Sequence, residues 1–278
     1  MDSKARRISY AFLCAFPVVS LTAASVRAFR IPGVDTGVGI VLFAAVVVAA
    51  WILGMHVIGS ATAATRRMAL AGSLLVAPMA IIALLWVGIG APFQATTAEN
   101  YVRYLVLLFN SIIVASAFLV LKQELYDDGE RFFSTIGFAA SIPAGAAYLV
   151  SVSLSVAQTM VKLKGGDASA GQLLASLYGV WEFVAAVMTY VAAAAFAASL
   201  GQIGWLGRGA TRAYVIANVI LLALLVARGL SYPELSGESA PWYVRPGFIA
   251  GIPAVPWLMP SLLGVVILRR ADERRLAQ

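Results

Sequence analysis

Glu182 is the only carboxylate within the long apolar stretches of this chain, and an ionisable side chain at such depth usually meets a partner or a cavity. It lies ten residues after Gln172, where its stretch begins, so a helix rising ~1.5 Å per residue places it at most roughly 15 Å below the outer surface. Ala175, Tyr178, Gly179, Glu182, Ala186, Thr189 and Ala193 recur at three- and four-residue spacing, which puts them on one small, polar face. In the preceding stretch Tyr148, Ser151, Ser155, Gln158, Thr159 and Lys162 fall within about 100° of arc when each residue advances ~100°. Lipid gives no reason for such stripes, whereas a neighbouring helix or a water-filled cleft does. The two stripes are therefore expected to face each other or a shared cavity.

Arg27, Arg103, Arg228 and Arg245 fall near the outer ends of apolar stretches, and a guanidinium suits carboxylate and phosphate ligands through its planar fork. With Tyr148, Ser151, Ser155, Gln158, Tyr178 and Glu182 they form the expected ligand-binding set. The arrangement is an outward-opening cationic vestibule with the acid at its floor, and its ligand is a small anionic solute or a lipid headgroup. Plainer readings stand beside this one: arginines that snorkel to the interface, and an acid held by a hydrogen bond inside the bundle.

The remaining polar residues point less sharply. His56, the only histidine, lies in the inner part of its stretch, where a packed, hydrogen-bonded imidazole is expected. Asn110 and Asn218 suit hydrogen bonds between helices or the lining of a pathway. Trp51, Trp181 and Trp257 lie well inside their stretches as core or as a cavity wall, while Trp86, Trp205, Trp242 and Tyr243 sit where rings anchor at headgroups. Glu124, Asp127, Asp128 and Glu130 cluster between Lys122 and Arg131 without the spacing of a calcium loop and read as a solvated loop. No metal site is expected.

The medium that positions these residues follows from composition. The chain is 61% hydrophobic and 12% charged, with a mean hydropathy of +0.89, whereas soluble domains carry roughly 25% charged residues. A spanning helix needs about 20 mainly apolar residues. Stretches of that kind run Ile8 to Phe29, Gly37 to Ser60, Met68 to Gly90, Tyr101 to Leu121, Phe133 to Val161, Gln172 to Gln202, Ala213 to Leu230 and Gly247 to Leu268. The expectation is an all-α, polytopic integral membrane helix bundle with eight transmembrane helices. The first stretch is longer than a signal-peptide core and lacks a clean cleavage site, so it counts as a mature helix. The connections are too short for a soluble domain, which leaves a single membrane domain over 1–278. The lone cysteine, Cys14, excludes an intramolecular disulfide.

The basic residues orient the bundle. If the amino terminus lies inside, Arg27, Arg30, Arg103, Lys162, Lys164, Arg228 and Arg245 lie outside and the other 13 of the 20 lysines and arginines lie inside. The positive-inside rule then places both termini in the cytoplasm of a cell membrane. The formal charge of +7 sits at helix ends, so anionic membrane lipids are the expected counter-charge and no nucleic acid is.

Two parallel copies of a four-helix unit, 1–122 and 123–278, are suggested by ordered matches. Tyr-Val-Arg recurs at Tyr101 and Tyr243, Ala-Thr-Arg at Ala64 and Ala210, and a phenylalanine precedes a proline by five at Phe12 and Phe138. Gly137 to Ala144 and Gly247 to Ala254 also share Gly-Phe-x-Ala-x-Ile-Pro-Ala. Pro253, Pro256 and Pro260 each remove a backbone donor, so the last helix is expected to kink or break, as helices at transporter sites do.

No HExxH, GxSxG, Walker, CxxC or Rossmann glycine pattern occurs, so no catalytic residue is assigned, no cofactor is expected and an enzyme is disfavoured. A haem held by two histidines has no place in a chain with one. Three functions remain in order: a permease-like or ligand-binding protein, a non-transporting scaffold or complex subunit, and a lipid-modifying enzyme. The oligomeric state is left open.

Overall fold

The computed structural model describes residues 3–26, 31, 33–59, 62–92, 94–231 and 255–277. Their regular structure is entirely helical: α1 (Ser3–Val26), α2 (Val34–Leu53), α3 (Ala63–Ala83), α4 (Thr97–Asp127), α5 (Phe132–Leu163), α6 (Ala168–Gln202), α7 (Arg208–Ser231) and α8 (Val255–Ala277). A 3-10 turn at Met55–Gly59 follows α2, and a π turn at Leu84–Gly88 prolongs α3. Six helices are long and apolar enough to cross a membrane, namely those at Val34–Leu53, Ala63–Gly88, Thr97–Asp127, Phe132–Leu163, Ala168–Gln202 and Arg208–Ala227. The chain is therefore a multi-pass membrane protein. Most of the approach to the expected eighth crossing, including Gly247 to Ala254, lies outside the described residues.

Local chemistry sets where these helices begin. Thr96 and Glu99 form a capping box on α4: the Glu99 amide donates to Thr96 Oγ1 at 3.2 Å while the Thr96 amide donates to Glu99 Oε2 at 2.8 Å, two orphan donors satisfied reciprocally. Asp167 caps α6 by accepting from the Ser169 amide at 2.9 Å. Glu130 accepts from the Phe133 and Ser134 amides at 2.8 and 2.9 Å, and from the Ser199 hydroxyl of α6. It thereby caps α5 and ties it to the far end of its neighbour. Burial pushes the Glu130 carboxyl up, but these donors outweigh it and hold the group below its ordinary value. Gly129 makes the turn ahead of it at φ 91°, a left-handed conformation that costs glycine no steric penalty.

Packing mostly follows chain order. The α5–α6 contact is the most extensive, with α4 along α5, α3 along α4 and α7 along α6, while α8 returns to lie against α3. That return depends on two glycines. A Cβ on Gly264 would stand 2.7 Å from Leu75 Cβ and 2.8 Å from the Gly72 carbonyl oxygen, and one on Gly72 would stand 3.0 Å from the Gly264 carbonyl oxygen. Small residues let helix backbones approach this closely, and van der Waals packing then holds them in an apolar solvent. Phe118 of α4 and Phe196 of α6 stack with centroids 4.7 Å apart, closing the core between them. Pro256 falls in the first turn of α8, where a missing amide costs nothing, and Pro260 is accommodated inside the helix.

One end of the bundle is held by ion pairs. Arg6 of α1 meets Asp272 of α8 at 2.5 Å, so the two terminal helices come together on one face. Asp272 also meets Arg275 at 3.3 Å and the His56 Nε2 at 3.5 Å. His56 Nδ1 lies 2.7 Å from the Trp51 carbonyl oxygen, the packed histidine the sequence suggests. Glu124 of α4 is bonded by Arg67 of α3 and Arg274 of α8, both at 3.1 Å. The expectation of a solvated acidic loop holds for Asp127 and Asp128, which are exposed, and gives way for Glu124 and Glu130, which are 1% and 5% exposed. Lone acids beside a bilayer are costly to bury, whereas acids met by arginines from other helices act as ties.

Candidate functional site

Three neighbouring helices bring their polar groups together in the other half of the bundle. Glu182 on α6 is half-buried, and the Tyr178 hydroxyl, one turn earlier, donates to its Oε1 at 2.5 Å. Tyr148 from α5 and Tyr104 from α4 both lie within electrostatic reach of that carboxylate. The Tyr148 ring packs on Trp257 of α8 with centroids 4.7 Å apart and planes at 50°. An acid ringed by phenols from three helices can accept hydrogen bonds and stabilise a cationic or donor group.

The other expected site residues fall in several places. Ser151 donates to the Tyr148 carbonyl at 2.9 Å and Ser155 to the Ser151 carbonyl at 3.4 Å. Thr159 follows the same pattern onto Ser155 at 3.0 Å, so this stripe satisfies itself along its own helix. Gln158 reaches across to α6, donating to the Gly171 carbonyl at 3.2 Å. Arg103 is fully buried, where its guanidinium donates to Asn100 Oδ1 at 2.8 Å and to the Gly90 carbonyl, and lies 5.2 Å from the Trp86 ring centre. Its position secures the link between α3 and α4, where Gly90 turns at φ 86°. Arg27 and Arg245 lie outside the described residues, as does the side chain of Arg228.

Residues that pattern reading passed over complete the surroundings. Tyr104 shares a face of α4 with Ser111, seven residues on, and that spacing was the available signal. Ser111, Ser141, Tyr148, Thr189 and Trp257 line a pocket of about 10 Å³, on the scale of one water molecule. Trp257, read from the sequence as core or cavity wall, is buried in the apolar core and also borders this pocket. Asn218 donates to the Tyr214 carbonyl of its own helix at 2.8 Å. Asn110 is fully buried, with neither amide atom hydrogen-bonded among the described residues.

No protein-family model matches this chain, and no curated protein or solved structure matches it either. Among the described residues no group of three or more His, Cys, Asp or Glu side chains is placed to hold a metal.

Proposed function

We propose that this protein is a permease-like or ligand-binding membrane protein whose site is the cluster of Glu182, Tyr178, Tyr148 and Tyr104. The observation that carries the reading is the convergence of α4, α5 and α6 on Glu182, the acid deep inside the apolar stretch Gln172 to Gln202. Its ligand is a small solute or lipid headgroup that carries an anionic group together with a cationic or hydrogen-bond-donating centre. The donor end meets Glu182, and the outer arginines the sequence offers, Arg27, Arg228 and Arg245, are the candidates for the anionic end. Arg103 contributes charge to this region from inside the α3–α4 link. Ser151, Ser155 and Gln158 hold α5 in register for Tyr148.

The same proposal carries eight crossings of a cell membrane, both termini cytoplasmic, a single domain and two parallel halves. The meeting of Arg6 with Asp272 supports a common side for the termini. The return of α8 to α3 is a contact between the halves and gives no support to the duplication.

The test is a thermal-shift screen of the full chain in detergent with zwitterionic and anionic solutes and short-chain phospholipids, repeated on Glu182→Gln. The variant is expected to melt within a few degrees of the native protein and to lose the ligand-induced shift. A scaffold reading draws on the hydroxyls of α5 that bond only to their own backbone. It gains if Glu182→Gln unfolds while no solute shifts either protein.

A further inference from the structure

A second cleft lies apart from Glu182, on the side of the bundle where α4 and α5 run together. It has a volume of about 340 Å³, and its walls include Ile112, Leu119, Phe138, Ile142 and Leu149, with Ser111 at its base. Ligand sites of small molecules begin near ~300 Å³. Ser111 follows Tyr101 by ten residues and Ser141 follows Phe133 by eight. At ~1.5 Å per residue these serines sit roughly 12–15 Å from opposite ends of their helices, near the middle of a ~30 Å hydrocarbon core. The medium outside the cleft is acyl chain.

Ser111 sets this cleft apart from ordinary helix surface. Ser141, Ser151, Ser153, Ser155, Thr159 and Thr189 each return their hydroxyl to a carbonyl of their own helix. Ser111 is 2% exposed, lines both the cleft and the small inner pocket, and its hydroxyl has no hydrogen-bond partner among the described residues. A buried hydroxyl left in this state is destabilising, and its proton calls for an acceptor.

We propose that this cleft binds an apolar, chain-bearing carbonyl compound of the alkyl ketone or quinone class, entering sideways from the bilayer, with its carbonyl oxygen accepting from Ser111 Oγ. A carbonyl brings an acceptor alone to mid-membrane. An alcohol brings a proton that needs a second partner, and an ordinary glycerolipid keeps its ester oxygens near the surface. The walls leave room for a chain between Ile112, Leu119, Ile142 and Leu149, residues that stand 40–55% exposed. The cleft shares Ser111 and Ser141 with the small inner pocket that Tyr148 borders, and Glu182 is not among the residues of either wall.

The experiment titrates the full chain in detergent with 2-dodecanone, 1-dodecanol and dodecane, following thermal stability. The ketone is expected to raise the melting temperature saturably, the alcohol to do so more weakly and dodecane to leave it unchanged. Ser111→Ala is expected to fold as well as the native protein, since it removes an unsatisfied group, and to weaken ketone binding about tenfold. Ala146→Phe fills the cleft from an exposed lining position and is expected to abolish binding while leaving the Glu182-dependent shift intact. Equal responses to ketone and dodecane, or a ketone response indifferent to both variants, would overturn the proposal. So would a dimer in detergent that Ala146→Phe converts to monomer, because the cleft would then be a contact between copies.

Discussion

Glu124 and Asp272 at one end of the bundle and Glu182 in its other half are held by different kinds of partner. At the end where the terminal helices meet, Glu124 and Asp272 are each about 1% exposed; Glu124 is met by Arg67 and Arg274 from two other helices, and Asp272 by Arg6 of α1 and Arg275 of its own helix. In the other half Glu182 is half-buried, and the phenol that bonds it belongs to its own helix. A carboxylate tied across α3, α4 and α8 is spent on architecture, because moving any partner leaves a buried charge behind. The Glu182 carboxylate accepts from a neutral phenol one turn away, a bond that a ligand donor can compete for. The contrast separates acids tied by arginines across helices from an acid bonded by a phenol.

The sharpest way to break this contrast is at Glu124. Glu124→Ala removes one charged hydrogen bond from each of Arg67 and Arg274, which keep Asp127 and Asp128 at 2.6 and 2.5 Å, and is expected to cost about 3 kcal/mol for the two bonds together, read as a lower midpoint in SDS or thermal unfolding, with the ligand response unchanged in the molecules that remain folded. A loss of ligand response at full stability would reverse the assignment of the two ends.

Ser199→Ala comes next, at about 1 kcal/mol for one hydrogen bond to a charged group. Glu130 is held below its ordinary value in the folded protein, so its contribution is complete above the unfolded carboxyl value of ~4.3 and disappears as pH falls through the lower folded value. Acid unfolding should therefore set in below about pH 4, and at a higher pH in Ser199→Ala. An acid midpoint unmoved by the substitution would remove Glu130 from the tie between α5 and α6.

The smallest effect on the fold belongs to Tyr178→Phe, a few tenths of a kcal/mol as for other pairs one helical turn apart. Its effect on ligand affinity should exceed its effect on stability. If the melting temperature instead drops as far as in Glu124→Ala, the outer cluster is architecture as well.

Much of the local picture was legible in the chain. Tyr178 and Glu182 stand four apart, and helical geometry alone brings them together. The stretches Phe133 to Val161 and Gln172 to Gln202 were recognisable as long apolar helices, and they fall within α5 and α6, which pack against each other. The capture of Arg103 by Gly90 was not legible, because it depends on a turn at φ 86° thirteen residues away. Neither was the burial of Glu124, whose partners Arg67 and Arg274 lie 57 and 150 residues off.

The sequence by itself determined the solvent, the helical class and the spacing of groups within each helix, since these depend only on hydropathy and a 3.6-residue period. Tertiary structure alone decided that α8 leaves α7 to lie on α3, that Tyr104 joins Tyr148 and Tyr178 at Glu182, and that Ser111 faces a cleft. The reason is physical: lipid is as apolar as the packed interior, so hydrophobicity does not mark which side of a membrane helix meets another. Close glycine contacts such as Gly72 with Gly264 make that choice, and they exist only once two distant segments are side by side.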